Sequence, residues 1–220
     1  MEQPEKNLAL GLKHACDIFV AAAVLLLSAP LTAVIVLLIL IDDGWPVLFV
    51  QERVGLGGRR FHCLKFRTMK VGSGAQGDAL NVSAGDARLT RFGKFLRQWT
   101  LDEIPQLVNV VKGEMSIVGP RPWVAEQAGL CNADEKRRFA MRPGMAGWAW
   151  IHGRNQLPFA QRIRLDLWYV DNWNLWLDLK ILAIACIHLF RRIGVFVPAA
   201  MNKDLDRKIV NGNRPSKTAR

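Results

Sequence analysis

Cysteine is sparse and unpaired in this sequence: Cys16, Cys63, Cys131 and Cys186 stand far apart with no CxxC pair. That speaks against a zinc site and a disulfide framework and favours a reducing compartment. Acidic residues are also short, 19 Asp and Glu against 30 Lys and Arg, for a net charge of +11. Such an excess points to an anionic partner, whether nucleic acid, a phosphorylated metabolite or an anionic membrane leaflet. No helix-turn-helix or RNP pattern is evident, so no nucleic-acid partner is expected. Gly72, Gly74 and Gly77 spell GxGxxG, but the surrounding VGSGAQGDALNVSAG lacks the apolar helical period of a dinucleotide site and reads as a mobile surface loop.

What is present is a long uncharged run. Ile18 to Ile41 gives 24 residues without a charge, enough at about 1.5 Å per residue to cross a bilayer core of roughly 30 Å. It is too long for a signal-peptide core and lacks a strongly basic flank before it. Ser28-Ala29-Pro30 interrupts its middle. Pro30 cannot donate to the carbonyl of Leu26, so the helix must kink, and Ser28 is placed to satisfy a freed backbone group. Lys6 and Lys13 precede the run and the strongly basic remainder follows it, and positive charge prefers the cytoplasmic side. A kinked spanning helix and a re-entrant segment that returns to its own face both fit these residues.

Beyond Asp43 the pattern predicts two short strands, at Val47 to Val50 and Phe61 to Phe66, joined by a turn at Gly55 to Gly58. Helices are predicted over Leu89 to Gln98, Ile104 to Val111 and Val124 to Met141. Trp148, Trp150, Trp168, Trp173 and Trp176 crowd the last third of the chain, and Trp favours the bilayer interface. Leu175 to Val197 is apolar but carries Asp178, Lys180, His188, Arg191 and Arg192, which suits a helix lying in the headgroup plane. The basic stretch from Asn202 to Arg220 is expected to be disordered.

Against the basic background, TLDEIPQ sets Asp102 beside Glu103. One reading is a capping box, with Thr100 as cap and Glu103 reaching back to the Thr100 amide. The other is chemical. Adjacent helical residues point about 100° apart, so the two carboxylates would divide labour, one as nucleophile or metal ligand and one as orienter or base. Cations gather around them in sequence: Lys65 and Arg67, then Arg88, Arg91, Lys94 and Arg97, then Arg121 in GPRP. Pro120 and Pro122 restrict the backbone around Arg121 and preset its guanidinium. Arg142-Pro143-Gly144 and Gly153-Arg154-Asn155 repeat the theme of a constrained loop holding an arginine, the planar donor that phosphates need. An anionic substrate with Mg²⁺ bridging Asp102 fits such a set.

These motifs, KFRTM, LDEIPQ, GEMSIVGPRP, RPG followed by GRN, and the SAP-centred apolar run, are similar in order and spacing to the bacterial sugar transferases called monotopic phosphoglycosyl transferases. The resemblance covers roughly Lys13 to Leu189, and the chain looks like the minimal catalytic form. It implies transfer of a sugar-1-phosphate from a nucleotide diphosphate sugar, usually a UDP-sugar, to polyprenyl (undecaprenyl) phosphate at the cytoplasmic face of the bacterial inner membrane. It casts Asp102 as the nucleophile that expels UMP and carries the phosphosugar, Glu103 as the residue that positions or activates the lipid phosphate, and Mg²⁺ as a cofactor near Asp102. Lys65, Arg67, Arg97, Pro120, Arg121, Arg142 and Arg154 are the candidate substrate-binding residues. The Ser28 and Pro30 break becomes the bend of a re-entrant hairpin.

The expectation is therefore a helix-dominated α+β, monotopic membrane protein with a re-entrant helix hairpin, interfacial amphipathic helices and a small β-hairpin. Residues 1–43 form the tail and membrane helix, 44–201 the catalytic domain and 202–220 the basic tail. The sequence departs from the family where Lys13-His14 replaces a common Lys-Arg, and where Ala146 and Trp150 replace a common Thr and Gln in a loop expected to touch the donor. A homodimer is compatible with the sequence, which carries no signal for it. A different class of reading is a membrane-tethered basic binding or scaffold protein without catalysis, for which Asp102 would be dispensable and binding steeply salt-dependent.

Overall fold

The structure, a computed structural model, describes residues 3–73, 82–83, 85–191 and 195. Much of the glycine-rich loop, the segment after Arg191 apart from Val195, and the whole 202–220 tail lie outside the described residues.

The apolar run folds as two helices, α1 (Gln3–Leu27) and α2 (Ala29–Asp43). Within α1 the stretch Asn7–Leu27 is, among the described residues, the one helix long and apolar enough to cross a membrane, and only 17% of its apolar 18-residue core is buried. A soluble core helix would be mostly buried, so its apolar surface needs another cover. Lys13, Asp17 and Ala21 face inward at a spacing of four, as do Ile35 and Ile39 of α2, whereas Phe19, Leu26, Leu27, Leu37 and Ile41 are exposed. The break falls where the sequence places it. Ser28 adopts φ −85° and ψ −1°, Pro30 opens the first turn of α2, and the Ser28 hydroxyl donates to the carbonyl of Leu25 at 3.3 Å.

Strands β1 (Leu48–Val54) and β2 (Arg60–Phe66) pair antiparallel, with Leu48 opposite Phe66 and Val54 opposite Arg60. The first strand runs four residues past its predicted end. Gly57 and Gly58, at φ 62° and 80°, take left-handed conformations in the intervening turn that suit glycine alone. Phe61 and Cys63 of β2 pack with Ala21 and with Leu107 and Val110 of α4 (Gln106–Val111). Asn109 fastens α4 to β2: its Oδ1 accepts from the Leu64 amide (3.0 Å) and its Nδ2 donates to the His62 carbonyl (2.7 Å). Helix α3 (Arg91–Gln98) precedes α4, capped by the Thr90 hydroxyl on the Gly93 amide.

A second, parallel pair escapes the sequence reading: β3 (Ser116–Val118) and β4 (Gly144–Ala146), with Val118 opposite Ala146. Glycine permits it, since a Cβ on Gly144 would strike the Gly119 backbone and one on Gly147 the Gly119 carbonyl. The predicted Val124–Met141 helix is broken instead. Helix α5 (Ala125–Gly129) ends early, and a new 3₁₀ segment over Glu135–Ala140 follows a turn in which Asn132 and Glu135 exchange side-chain-to-amide bonds, both 2.9 Å.

Helices α6 (Trp148–Ile151), α7 (Phe159–Asn172) and α8 (Leu175–Arg191) close the body around Val118, Trp150, Tyr169, Trp173 and Ile181. Trp150 and Trp173 are thus core residues, against the expectation of interfacial positions, while Trp168 and Trp176 are exposed. On α8 Leu177, Ile181 and Ala185 are buried and Trp176, Leu179, Ile187 and Phe190 exposed. Asp178 accepts from Tyr169 Oη (2.6 Å) and Trp173 Nε1 (3.1 Å) and pairs with Lys13 Nζ (2.7 Å), while Asp17 accepts from Ser116 Oγ. Buried polar groups persist where every partner is satisfied, and these tie α1 to β3 and α8.

Candidate active site

Thr100 ends the approach from α3 in a left-handed conformation, φ 59°, unfavourable for a β-branched residue. Such strain is worth about 1–3 kcal/mol and persists only when the surroundings enforce it. Here the Thr100 hydroxyl accepts from Arg154 Nη2 at 2.9 Å. The capping-box reading is therefore corrected: Thr100 makes no side-chain cap, and Leu101–Glu103 form a single 3₁₀ turn. Glu103 points away from it, to Lys65 Nζ at 2.7 Å and Arg121 Nη2 at 3.6 Å. Because α4 is bolted to β2 through Asn109, the strand residue Lys65 is brought beside the turn.

Asp102 and Glu103 are 7% and 6% exposed and line a cavity of about 520 Å³. Of the candidate binding residues, Lys65, Arg67, Arg97, Arg121 and Arg154 line it as well. Arg97 Nε donates to Thr68 Oγ1 (2.7 Å), and Arg154, with positive φ after Gly153, lies over the Trp150 ring at 4.6 Å. Arg67 lines the cavity but spends Nη2 on the carbonyls of Asp43 and Gly44 (2.7 and 2.6 Å), anchoring the end of α2. Pro120 shapes the backbone, its carbonyl accepting from Gly144.

Arg142 lies outside the cavity lining, with Nε on the Gly113 carbonyl at 2.9 Å. The two departures also lie away from it: Ala146 belongs to β4, and Trp150 acts on the site through the Arg154 guanidinium it supports. Ser28 and Pro30 sit at the helix break.

Burial and the neighbouring Glu103 raise the Asp102 carboxyl above the ordinary range, against the attraction of Lys65, Arg97 and Arg154. Burial opposes ionisation of Glu103 too, but Lys65, Arg121 and Arg154 outweigh it and hold Glu103 well below the ordinary value. Two adjacent carboxyls are thus driven apart, a pattern typical of functional sites. Asp102 takes no hydrogen bond from any described residue and faces the cavity.

No group of three or more His, Cys, Asp or Glu converges among the described residues. A divalent cation here would therefore rely on one or two carboxylates plus substrate phosphates, the arrangement that suits Mg²⁺. The open Asp102 carboxylate, a hard oxygen donor, fits that role.

Several cavity residues were missed in the sequence: Arg53, Arg162, Gln127 and Trp123. Arg162 stands four residues before the buried Asp166 on α7, a spacing that carried the hint. Asp166 in turn pairs with Arg138, which lies 3.6 Å over the Trp123 ring and donates to the Arg121 carbonyl at 2.9 Å.

A family model described as bacterial sugar transferase matches residues 8–192. An uncharacterized sugar transferase of Bacillus subtilis, EpsL, is 39% identical over 79% of this chain and 84% of its own length. The exopolysaccharide production protein ExoY of Rhizobium meliloti is 38% identical over 77% of this chain and 81% of its own length. The UDP-glucose:undecaprenyl-phosphate glucose-1-phosphate transferase of Xanthomonas campestris is 40% identical over 73% of this chain and 35% of its own length. The chain spans 34–42% of the longer relatives it matches.

Proposed function

The chain belongs to the bacterial sugar transferase family, and on that premise we propose that it transfers a sugar-1-phosphate from a nucleotide diphosphate sugar to polyprenyl phosphate. A UDP-sugar donor and undecaprenyl phosphate are the substrate classes named for its Xanthomonas relative. The observation that carries the reading is the buried Asp102 carboxylate facing a cation-lined cavity beside an already paired Glu103.

A carboxylate oxygen of Asp102 attacks the phosphorus that bears the sugar. The bond from that phosphorus to the bridging oxygen breaks, UMP leaves with the electron pair, and an aspartyl-phosphosugar remains. A phosphate oxygen of the polyprenyl phosphate then attacks the same phosphorus and the bond to Asp102 breaks, regenerating the carboxylate. The raised Asp102 suits a nucleophile, since a carboxylate poorly stabilised by its surroundings is the more reactive once ionised. Bond formation also moves its charge onto phosphoryl oxygens among Lys65, Arg97 and Arg154, where fixed cations can stabilise it. Glu103, locked ionised by Lys65 and Arg121, serves to orient those cations and the lipid phosphate. Mg²⁺ held by Asp102 and the donor phosphates would screen charge on the phosphoryl group.

The membrane reading is a re-entrant hairpin in one leaflet, with the body at the cytoplasmic face of the inner membrane. It is supported by both arms returning to the same body. Lys13 meets Asp178 on one side, and on the other Asp42 accepts from the Phe92 amide (3.1 Å) while Arg67 grips Asp43. A cysteine at Glu5 in a Cys16→Ser, Cys186→Ser background should label from the same side as one at Lys112; labelling from opposite sides would sink the hairpin.

The reaction is tested by UMP release from a panel of UDP-sugars with Mg²⁺, with and without polyprenyl phosphate, together with intact mass. The expected result without lipid is no more than one equivalent of UMP and a phosphosugar adduct, both lost in Asp102→Asn. UMP release that persists in Asp102→Asn would refute the covalent step.

A further inference from the structure

The cavity wall changes character along β1. The strand runs from Leu48, just beyond the end of α2, to Arg53, a separation of about 16 Å at roughly 3.3 Å per residue. On β1 the α2 end of the wall is apolar, formed by Leu48, Phe49 and Val50, each more than two-fifths exposed, and the Arg67 beside them is spent on the Asp43 and Gly44 carbonyls. At the other end stand three guanidiniums, those of Arg53 on β1, Arg121 in the loop after β3 and Arg162 on α7. Arg53 is held in place by neutral acceptors, Nη1 on the Pro122 carbonyl (3.1 Å) and Nη2 on Gln51 Oε1 (2.5 Å), and its buried Nε has no partner among the described residues. Arg162 gives Nε to the Leu157 carbonyl at 2.9 Å. Glu103, the carboxylate within reach of Arg121, already has Lys65 at the shorter distance.

Concentrating like charges in a partly dehydrated cleft is costly unless an anion joins them. Burial first, and then the charge of Arg121, push Arg53 and Arg162 each down to about 10, against the opposing pull of Glu103 and Glu126 on Arg53 and of Asp166 on Arg162. Trp123 lines the same end, yet Arg138 lies over its ring and Phe159 stacks on it at 4.6 Å. It has little open face for a base, so recognition here works through charge and through the amides of Gln51 and Gln127.

We propose that Arg53 and Arg162, together with Arg121, form the binding site for the nucleoside diphosphate portion of the donor. This end of the cavity lies at the far end of β1 from the close of α2. The apolar α2 end is left for the lipid acceptor, so the two substrates approach Asp102 from opposite sides. The assignment rests on the transferase reading above and adds two residues and a direction to it. As UMP departs, charge grows on its phosphate, and planar guanidinium forks are suited to hold it.

The test uses the full chain in nanodiscs, with equilibrium binding of UDP, UMP and uridine to wild type, Arg53→Gln, Arg162→Gln and Arg53→Lys, each checked for an unaltered melting profile. Wild type should bind in the order UDP, UMP, uridine. Arg53→Gln and Arg162→Gln should each weaken UDP about tenfold or more, raise donor KM in parallel and leave acceptor KM unchanged. Arg53→Lys, which keeps charge but loses the fork, should recover part of the affinity. Folded variants that bind UDP as wild type does, or that raise the acceptor KM instead of the donor KM, would overturn the proposal. If wild type bound UDP and made no lipid product, the transferase reading would fall and the phosphate site would stand. If wild type turned over while the variants kept full UDP affinity, the reverse would hold.

Discussion

Replacing Asp102 by Asn should make the protein more stable while abolishing transfer. The carboxyl is buried, unbonded by described residues and beside another carboxylate, so its ionised form is disfavoured and its folded value lies above the ordinary one near 3.9. The folded state therefore bears a penalty at neutral pH of about 1.4 kcal/mol for each unit of displacement. For a chain of this size 1 kcal/mol moves the melting temperature by about 2–4 °C, so a rise of a few degrees is expected. The penalty is complete above the folded value and vanishes as the pH falls toward the unfolded one; the gap between Asn variant and wild type must narrow on acidification. Glu103 carries the opposite sign. Its folded value is depressed, so it contributes stability above the ordinary value near 4.3 that is lost only in stronger acid. Glu103→Gln should melt lower than wild type from neutral pH down to about pH 5, with a steady gap. The assay is thermal melting in nanodiscs with a chelator, at fixed scan rate, from pH 8 to pH 4. An Asp102→Asn protein that melts at or below wild type at neutral pH, or a gap that ignores pH, would refute the electrostatic account.

Two further outcomes follow from the packing. Arg138→Met should destabilise by about 3–5 kcal/mol, because it strands the buried Asp166 and removes the donor to the Arg121 carbonyl; adding Asp166→Leu should restore most of the loss, measured by melting. Gly144→Ala should drive a Cβ into the Gly119 backbone, lowering stability by at least about 1–3 kcal/mol and donor turnover with it, because the Arg121 loop leaves the end of β3.

Much of the site was legible because its chemistry lies in contiguous motifs. Asp102 and Glu103 are neighbours, and Arg121 is flagged by its prolines, so their convergence with Lys65 needed only one long-range contact. The β1–β2 hairpin and the Ser28 helix break were legible for a similar reason, since turn glycines and a mid-helix proline act locally. What stayed hidden depends on distant partners. The β3–β4 pair joins residues 28 apart in the chain through strands of three residues, too short for any alternation. Arg53 and Arg162 look like ordinary surface charge until the fold turns them inward. The capping motif at Thr100 misled because Lys65 and Arg154, both remote in sequence, compete for the groups a local cap would use.

Helix α2 holds 15 residues, about 22 Å of length, short of a hydrocarbon core of roughly 30 Å. A spanning anchor must match the whole thickness of its membrane and tilts or deforms the lipid when it does not. In the re-entrant reading, an arm that stops short and turns back senses only the near leaflet. Such a protein would keep its catalytic depth, and so its reach to a lipid phosphate, in bilayers of quite different thickness. Activity in vesicles of increasing acyl length should then stay level where a spanning enzyme's would peak.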